Sequence, residues 1–146
     1  MVFVTYSVLV IVIRLFGAQI PDRLGPSRSA RSALTLQAAG LAVMGLWNEP
    51  VGLFAGTALF AVGHSLAFPA LMTLAIGGAP VSERAAVVGT FTAFFDLAFG
   101  LGALTLGGVA AIFGYGGALV GGALVSLGGL ALLVARGRQA RALAPR

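Results

Sequence analysis

Residues 85–135 read AAVVGTFTAFFDLAFGLGALTLGGVAAIFGYGGALVGGALVSLGGLALLVA, an apolar run whose one charged residue is Asp96. A helix crossing the ~30 Å hydrocarbon core of a bilayer needs about 20 apolar residues. The run is too long for one crossing and long enough for two. Phe113-Gly114-Tyr115-Gly116-Gly117 supplies the break between them, because closely spaced glycines punctuate helices. Two spans result, at about residues 85–113 and 115–135. Toward the N-terminus, residues 51–77 and 2–20 are runs of the same kind, and residues 33–47 form a shorter one.

The rest of the composition agrees. Of 146 residues, 59% are hydrophobic and 9% charged, against roughly 45–50% and about 25% in a soluble domain. These values exclude a soluble globular domain. They exclude a disordered chain too, since disorder needs low hydrophobicity and high charge. With no Cys and a single His, no metal centre is expected and no cofactor.

The net charge of +5 would suggest a nucleic-acid partner in a polar chain, but the positions of the basic residues give another reason for it. All nine are Arg. If the short stretch also spans, as residues 30–47, then Arg23, Arg28, Arg31, Arg84, Arg136, Arg138, Arg141 and Arg146 all fall on one side of the membrane. Without it, they split between the two sides. Positive loops stay cytoplasmic, so the expected topology has five spans, the N-terminus outside and the C-terminus inside. Arg31 is then expected to snorkel to the interface. No nucleic-acid partner is expected. Residues 1–20 lack the basic start and small-residue cleavage site of a signal peptide, so they are read as a membrane helix.

An ionisable side chain at mid-membrane costs at least ~2.5–3.5 kcal/mol, and three positions bear on this. Asp96 lies halfway along its span, on a helical face reading Gly89, Ala93, Asp96, Gly100, Ala103, Gly107. Such a face is expected to pack on protein or line a cavity. His64 lies mid-span in the preceding helix, and counting ~1.5 Å per residue from the connecting loop puts both at nearly one depth. A proton-coupling pair is one reading. The other is structural, with Asp96 bonded to a neighbour such as Thr92 and His64 to a helix carbonyl. Arg14 is read as an interface charge near the cytoplasmic end of its span. Gly52-xxx-Gly56 and Gly117-xxx-Gly121 fit small-residue helix packing.

No enzyme is expected. Gly63-His64-Ser65-Leu66 superficially suggests a serine hydrolase, but adjacent helical residues point ~100° apart and cannot pair as nucleophile and base.

Ala18-Gln19-Ile20-Pro21-Asp22-Arg23-Leu24-Gly25-Pro26-Ser27-Arg28 resembles the Asp-Arg-x-Gly loop of major facilitator superfamily (MFS) transporters, with Arg28 the nearest cation to that loop's basic pair. Gly63-His64-Ser65-Leu66-Ala67-Phe68-Pro69-Ala70-Leu71, Pro80-Val81-Ser82-Glu83-Arg84 and Gly89-Thr90-Phe91-Thr92-Ala93-Phe94-Phe95-Asp96 resemble helices ten and eleven of bacterial efflux-type members. Phe113-Gly114-Tyr115 resembles the turn before helix twelve. The resemblance implies a single membrane domain over residues 1–146, an all-α bundle of five transmembrane helices equivalent to helices eight to twelve. It implies proton-coupled export of a small molecule across the bacterial inner membrane. It also implies that Asp22, Arg23, Gly25 and Arg28 belong to a cytoplasmic latch. Twelve-helix transporters bind substrate between two halves, so the chain is expected to be a fragment needing a missing N-terminal half or another copy. The alternative is a small non-transporting membrane protein whose Gly faces serve assembly.

Overall fold

The computed structural model describes residues 1–16 and 24–142, with side chains over residues 1–15 and 24–139. Among these residues there is helix and no strand. The elements are α1 (Val2–Phe16), α2 (Pro26–Leu46), α3 (Pro50–Gly77), a 3-10 turn at Val81–Glu83, and the helical stretch Arg84–Ala142. Gly114 divides that last stretch, since its φ of 74° and ψ of 174° are not helical. The two parts are α4, residues 84–113, and α5, residues 115–142. Leu106 reaches within 4 Å of where side chains would begin at Gly121 and Gly122. A straight helix would hold those residues roughly 22 Å apart along its axis, so the chain reverses at Gly114 and α4 and α5 form a hairpin.

Helix ends follow local chemistry. Gly25 (φ 80°) adopts a backbone open to glycine and precedes Pro26, whose missing N–H costs nothing at a first helical position. The second apolar run therefore becomes helical at residue 26 rather than 30. Pro50 starts α3 in the same way. The helix α5 continues past the apolar run through Arg136-Gly137-Arg138. Residues 17–20, the end of the first expected span, lie outside the described residues.

Two stretches, Pro50–Gly77 and Val81–Gln139, are long and apolar enough to cross a membrane. The helix α1 is apolar but shorter. The N-terminal half of α2 is diluted by Ser27, Arg28, Ser29, Arg31 and Ser32.

The helix α2 is the hub, packing on both α3 and α5, while α1 packs on α3. Backbone meets backbone at the α2–α3 seam. A Cβ added at Gly40 would stand 2.5 Å from Phe60 N, one at Gly56 2.7 Å from Gly40 O, and one at Gly63 2.7 Å from Ala33 O. No side chain fits at those separations. Gly52 instead accommodates Trp47 of the α2–α3 turn. On α5 the closest approach to α2 is at Gly116, beside Gly45 O. Gly117 meets only Phe113, and Gly121 only Leu106. The expected Gly117–Gly121 seam is thus displaced by one residue, about 100° round the helix.

Elements consecutive in sequence run in alternating directions. Gly45 lies beside Gly116 and Arg31 beside Gly137, so α2 and α5 are antiparallel. Gly40 lies beside Gly56 and Ala33 beside Gly63, so α2 and α3 are antiparallel as well. Arg28, Arg31, Arg84, Arg136 and Arg138 therefore gather at one end of the bundle, with Glu49 at the other.

The seam makes a stability prediction. Gly40→Ala should destabilise the protein by about 1–3 kcal/mol through overpacking, whereas Gly128→Ala, which meets nothing within 4 Å, should be neutral or stabilising by up to about 1 kcal/mol. Unfolding of the purified protein in mixed micelles by added dodecyl sulfate measures both. Equal effects of the two substitutions would contradict the seam.

Candidate functional site

A cleft of about 490 Å³ opens between α2, α3 and α4. Its walls are apolar, from residues such as Leu34, Ala67, Leu71, Phe95 and Leu106, and its two polar side chains are Gln37 and His64. These face each other, with Gln37 Nε2 3.5 Å from His64 Nδ1. The seam explains the placement. Gly63 lets α2 approach until its absent Cβ would lie 2.7 Å from Gln37 N, which brings Gln37 alongside the next residue of α3, His64. The amide can satisfy an imidazole in either tautomer because it carries both donor and acceptor.

His64 is also the centre of an aromatic ladder. Its ring stacks on Phe60 (5.6 Å, 19°), lies 6.2 Å from Tyr6 of α1, and meets the edge of Phe99 of α4 at 6.2 Å. The ladder continues through Phe99–Phe95 at 5.1 Å and Phe95–Phe68 at 5.0 Å. Each such pair contributes about 0.5–1.5 kcal/mol beyond its buried area. Rings, rather than backbone contact, attach α4 to α3.

Asp96 is exposed and forms no part of the cleft wall. Phe99, three residues on, meets His64, so Asp96 and His64 lie within about a turn of each other in height. They are not brought into contact. Gly89, Ala93, Gly100, Ala103 and Gly107 of the same face are likewise exposed, and Gly89, Gly100 and Gly107 have nothing within 4 Å of where a side chain would begin. Among the described residues no hydrogen bond reaches the Asp96 carboxylate, and Thr92 donates to Val88 O (2.9 Å).

Ser65 donates to Ala61 O at 2.8 Å and is buried, which occupies the hydroxyl beside His64. Arg14 is exposed in the last turn of α1 and Arg28 in the first turn of α2. Gly25 supplies the positive φ that precedes α2. Asp22 and Arg23 lie outside the described residues. Arg31 lies beside Gly137 of α5. It is half-buried, its Nε is enclosed without a hydrogen-bond partner, and a Cβ at Gly137 would stand 2.8 Å from its guanidinium. The N-terminal turns of α2 lie against α5, so the stem runs sideways into the groove between them.

Sequence reasoning missed Gln37. The available signal was its place in the stripe Ala30, Ala33, Gln37, Gly40, Met44, where one amide interrupts a face of small and apolar residues at helical spacing. Among the described residues no cluster of three or more His, Asp or Glu could hold a metal ion.

No family model matches the chain, and no solved structure matches it. Curated proteins do. An uncharacterized MFS-type transporter of Pseudomonas aeruginosa is 41% identical over 131 residues, covering 88% of this chain and 32% of the relative. One from Salmonella typhimurium is 34% identical over 112 residues, covering 75% and 28%. One from Burkholderia mallei is 33% identical over 137 residues, covering 93% and 34%. The chain spans about a third of the length of the curated relatives it matches. With this homology running through most of an all-helical, strongly apolar sequence, the chain belongs to the MFS-type transporter family.

Proposed function

We propose that the chain supplies helices eight to twelve of a proton-coupled exporter of small molecules in the bacterial inner membrane. The observation that carries this reading is the uncovered face of α4. It holds one carboxylate, Asp96, among exposed small residues, of which Gly89, Gly100 and Gly107 have nothing within 4 Å of where a side chain would begin. A charge there would be costly against lipid. A second helix bundle would cover it, and small residues would let that bundle come close. Substrate would then bind between the two halves near the midplane. Rocking of the halves would expose Asp96 to water on one side at a time, so that its protonation follows the side to which it opens. Homology to transporters favours this over a non-transporting assembly protein.

The alternating helix directions and the arginines gathered at one end support five crossings with the C-terminus inside. Asp22 and Arg23 act in this reading as a cytoplasmic latch, the carboxylate gaining ~0.3–1 kcal/mol beside a helix N-terminus, with Gly25 and Arg28 completing the turn. Arg14 sits at the same interface.

The native chain has no Cys, which makes topology directly testable. A single Cys at Asn48 should react with an impermeant maleimide added outside the cell, and one at Gln139 only after permeabilisation. Labelling of Asn48 solely from the inside would overturn the five-span arrangement.

Coupling is tested in a full-length transporter carrying this chain as its C-terminal part. Asp96→Asn should abolish accumulation driven by a proton gradient, a loss of at least about tenfold, while substrate exchange continues, because Asn imitates the protonated acid in size and hydrogen bonding. Unaltered pH-dependent transport would reduce Asp96 to a packing residue. In the same protein Asp22→Asn should slow transport far more than it weakens binding, since the loop is remote from a midplane site. Parallel losses of both would remove the latch.

A further inference from the structure

Arg31 is the unexplained charge of this molecule. Its guanidinium is tucked between α2 and α5, with Nε enclosed and unpartnered. Gly137 is the residue that makes room for it, because any Cβ there would stand 2.8 Å from the guanidinium. Three more arginines frame the spot. Arg28 is one turn away on the same face of α2 (i, i+3), and Arg136 and Arg138 flank Gly137, about 100° round α5 in either direction. All three are exposed, and among the described residues no acid pairs with any of the four, Asp22 of the proposed latch lying outside them on the Arg28 side. Partly burying an uncompensated cation is expensive, and placing three like charges round it adds to the cost. The arrangement makes physical sense when an anion sits among them.

We propose that Arg31, with Arg28, Arg136 and Arg138, binds the phosphate of an anionic phospholipid headgroup in the groove between the ends of α2 and α5. A guanidinium offers five fixed donors and grips phosphate oxygens in pairs. Basic pockets between membrane helices on the cytoplasmic side recognise such headgroups. The flanking surface favours a lipid over a free ion. Leu132 lies one turn above Arg136, with Val125 about two turns further, and they are 68% and 74% exposed. They form an apolar strip along which an acyl chain can lie while its headgroup stays with the arginines. The site requires the helices to lie in a bilayer and is independent of what the protein transports.

The purified full chain in nonionic micelles, titrated with phosphatidylglycerol, phosphatidylcholine and inorganic phosphate and followed by native mass spectrometry, tests the proposal. Phosphatidylglycerol should bind at least about tenfold more tightly than phosphatidylcholine, and inorganic phosphate should not displace it at equal concentration. Each guanidinium removed should weaken phosphatidylglycerol about fivefold. Arg31→Ala tests the centre of the site. The double variant Arg136→Gln with Arg138→Gln alters only exposed side chains and keeps the test decisive if Arg31→Ala does not fold. Gly137→Leu should weaken binding with every charge retained. Equal affinity for the two lipids, unaltered binding in the double variant, or displacement by inorganic phosphate would each overturn the proposal.

Discussion

Everything in this bundle is referred to one close approach, that of α2 and α3. At Gly40, Gly56 and Gly63 the two backbones come so near that a single methyl group would overlap peptide atoms. In lipid, helices gain nothing by hiding apolar side chains from a solvent that is itself apolar, so van der Waals contact between backbones becomes a main source of attraction. The seam fixes the rotation of α2, and with it what α2 presents elsewhere. Gln37 arrives beside His64, Gly45 beside Gly116, and Arg31 beside Gly137. The cleft and the arginine cluster are therefore both consequences of where three glycines stand.

The helix α4 is held on different terms. Phe91, Phe95 and Phe99 meet Phe68 and His64 through ring edges and faces 5.0–6.2 Å apart, and all five of its glycines, at 89, 100, 102, 107 and 108, have nothing within 4 Å of where a side chain would begin. Aromatic contacts tolerate sliding and tilting that a backbone seam does not. The bundle thus combines a rigid pair, α2 and α3, with a helix whose outer face is unsatisfied and whose inner face is adjustable. That combination suits a helix that, in the proposed transporter, meets a second body and moves against it.

How far the sequence discloses this depends on the kind of signal. Hydropathy locates the apolar runs because the bilayer's thickness sets their length, and Gly114 is legible as a break because clustered glycines sit between two spans' worth of apolar residues. The seam is only half legible. Gly56 matches a small-xxx-small pattern, but Gly117 and Gly121 match it equally and lie off the α2 contact, since the pattern specifies spacing on one helix and says nothing of which face a partner takes. Gln37 escaped notice because an uncharged amide hardly alters hydropathy. The distance of Arg31 from the helix end allows it to snorkel, but does not tell which neighbour its stem lies against. The sideways course of its stem depends on Gly137, more than a hundred residues away, which no local rule connects to it. The resemblance to transporters rests on a loop, two turns and the mid-helix stretches 63–71 and 89–96, and at the loop backbone geometry restricts the choice most, as the positive φ of Gly25 illustrates.

The reversal at Gly114 also orders events in time. The chain leaves the ribosome with α4 ahead of α5, yet it is α5 that docks on the central helix α2, while α4 leans on α3 through rings. The translocon thus releases the helix bearing Asp96 before α5, its partner in the hairpin, exists. In the proposed transporter the acid and its row of bare glycines stay unsheltered until the other half docks against α4. An unassembled copy would be marked by this face, giving the cell's membrane quality control a ready means of distinguishing an orphan from a finished transporter.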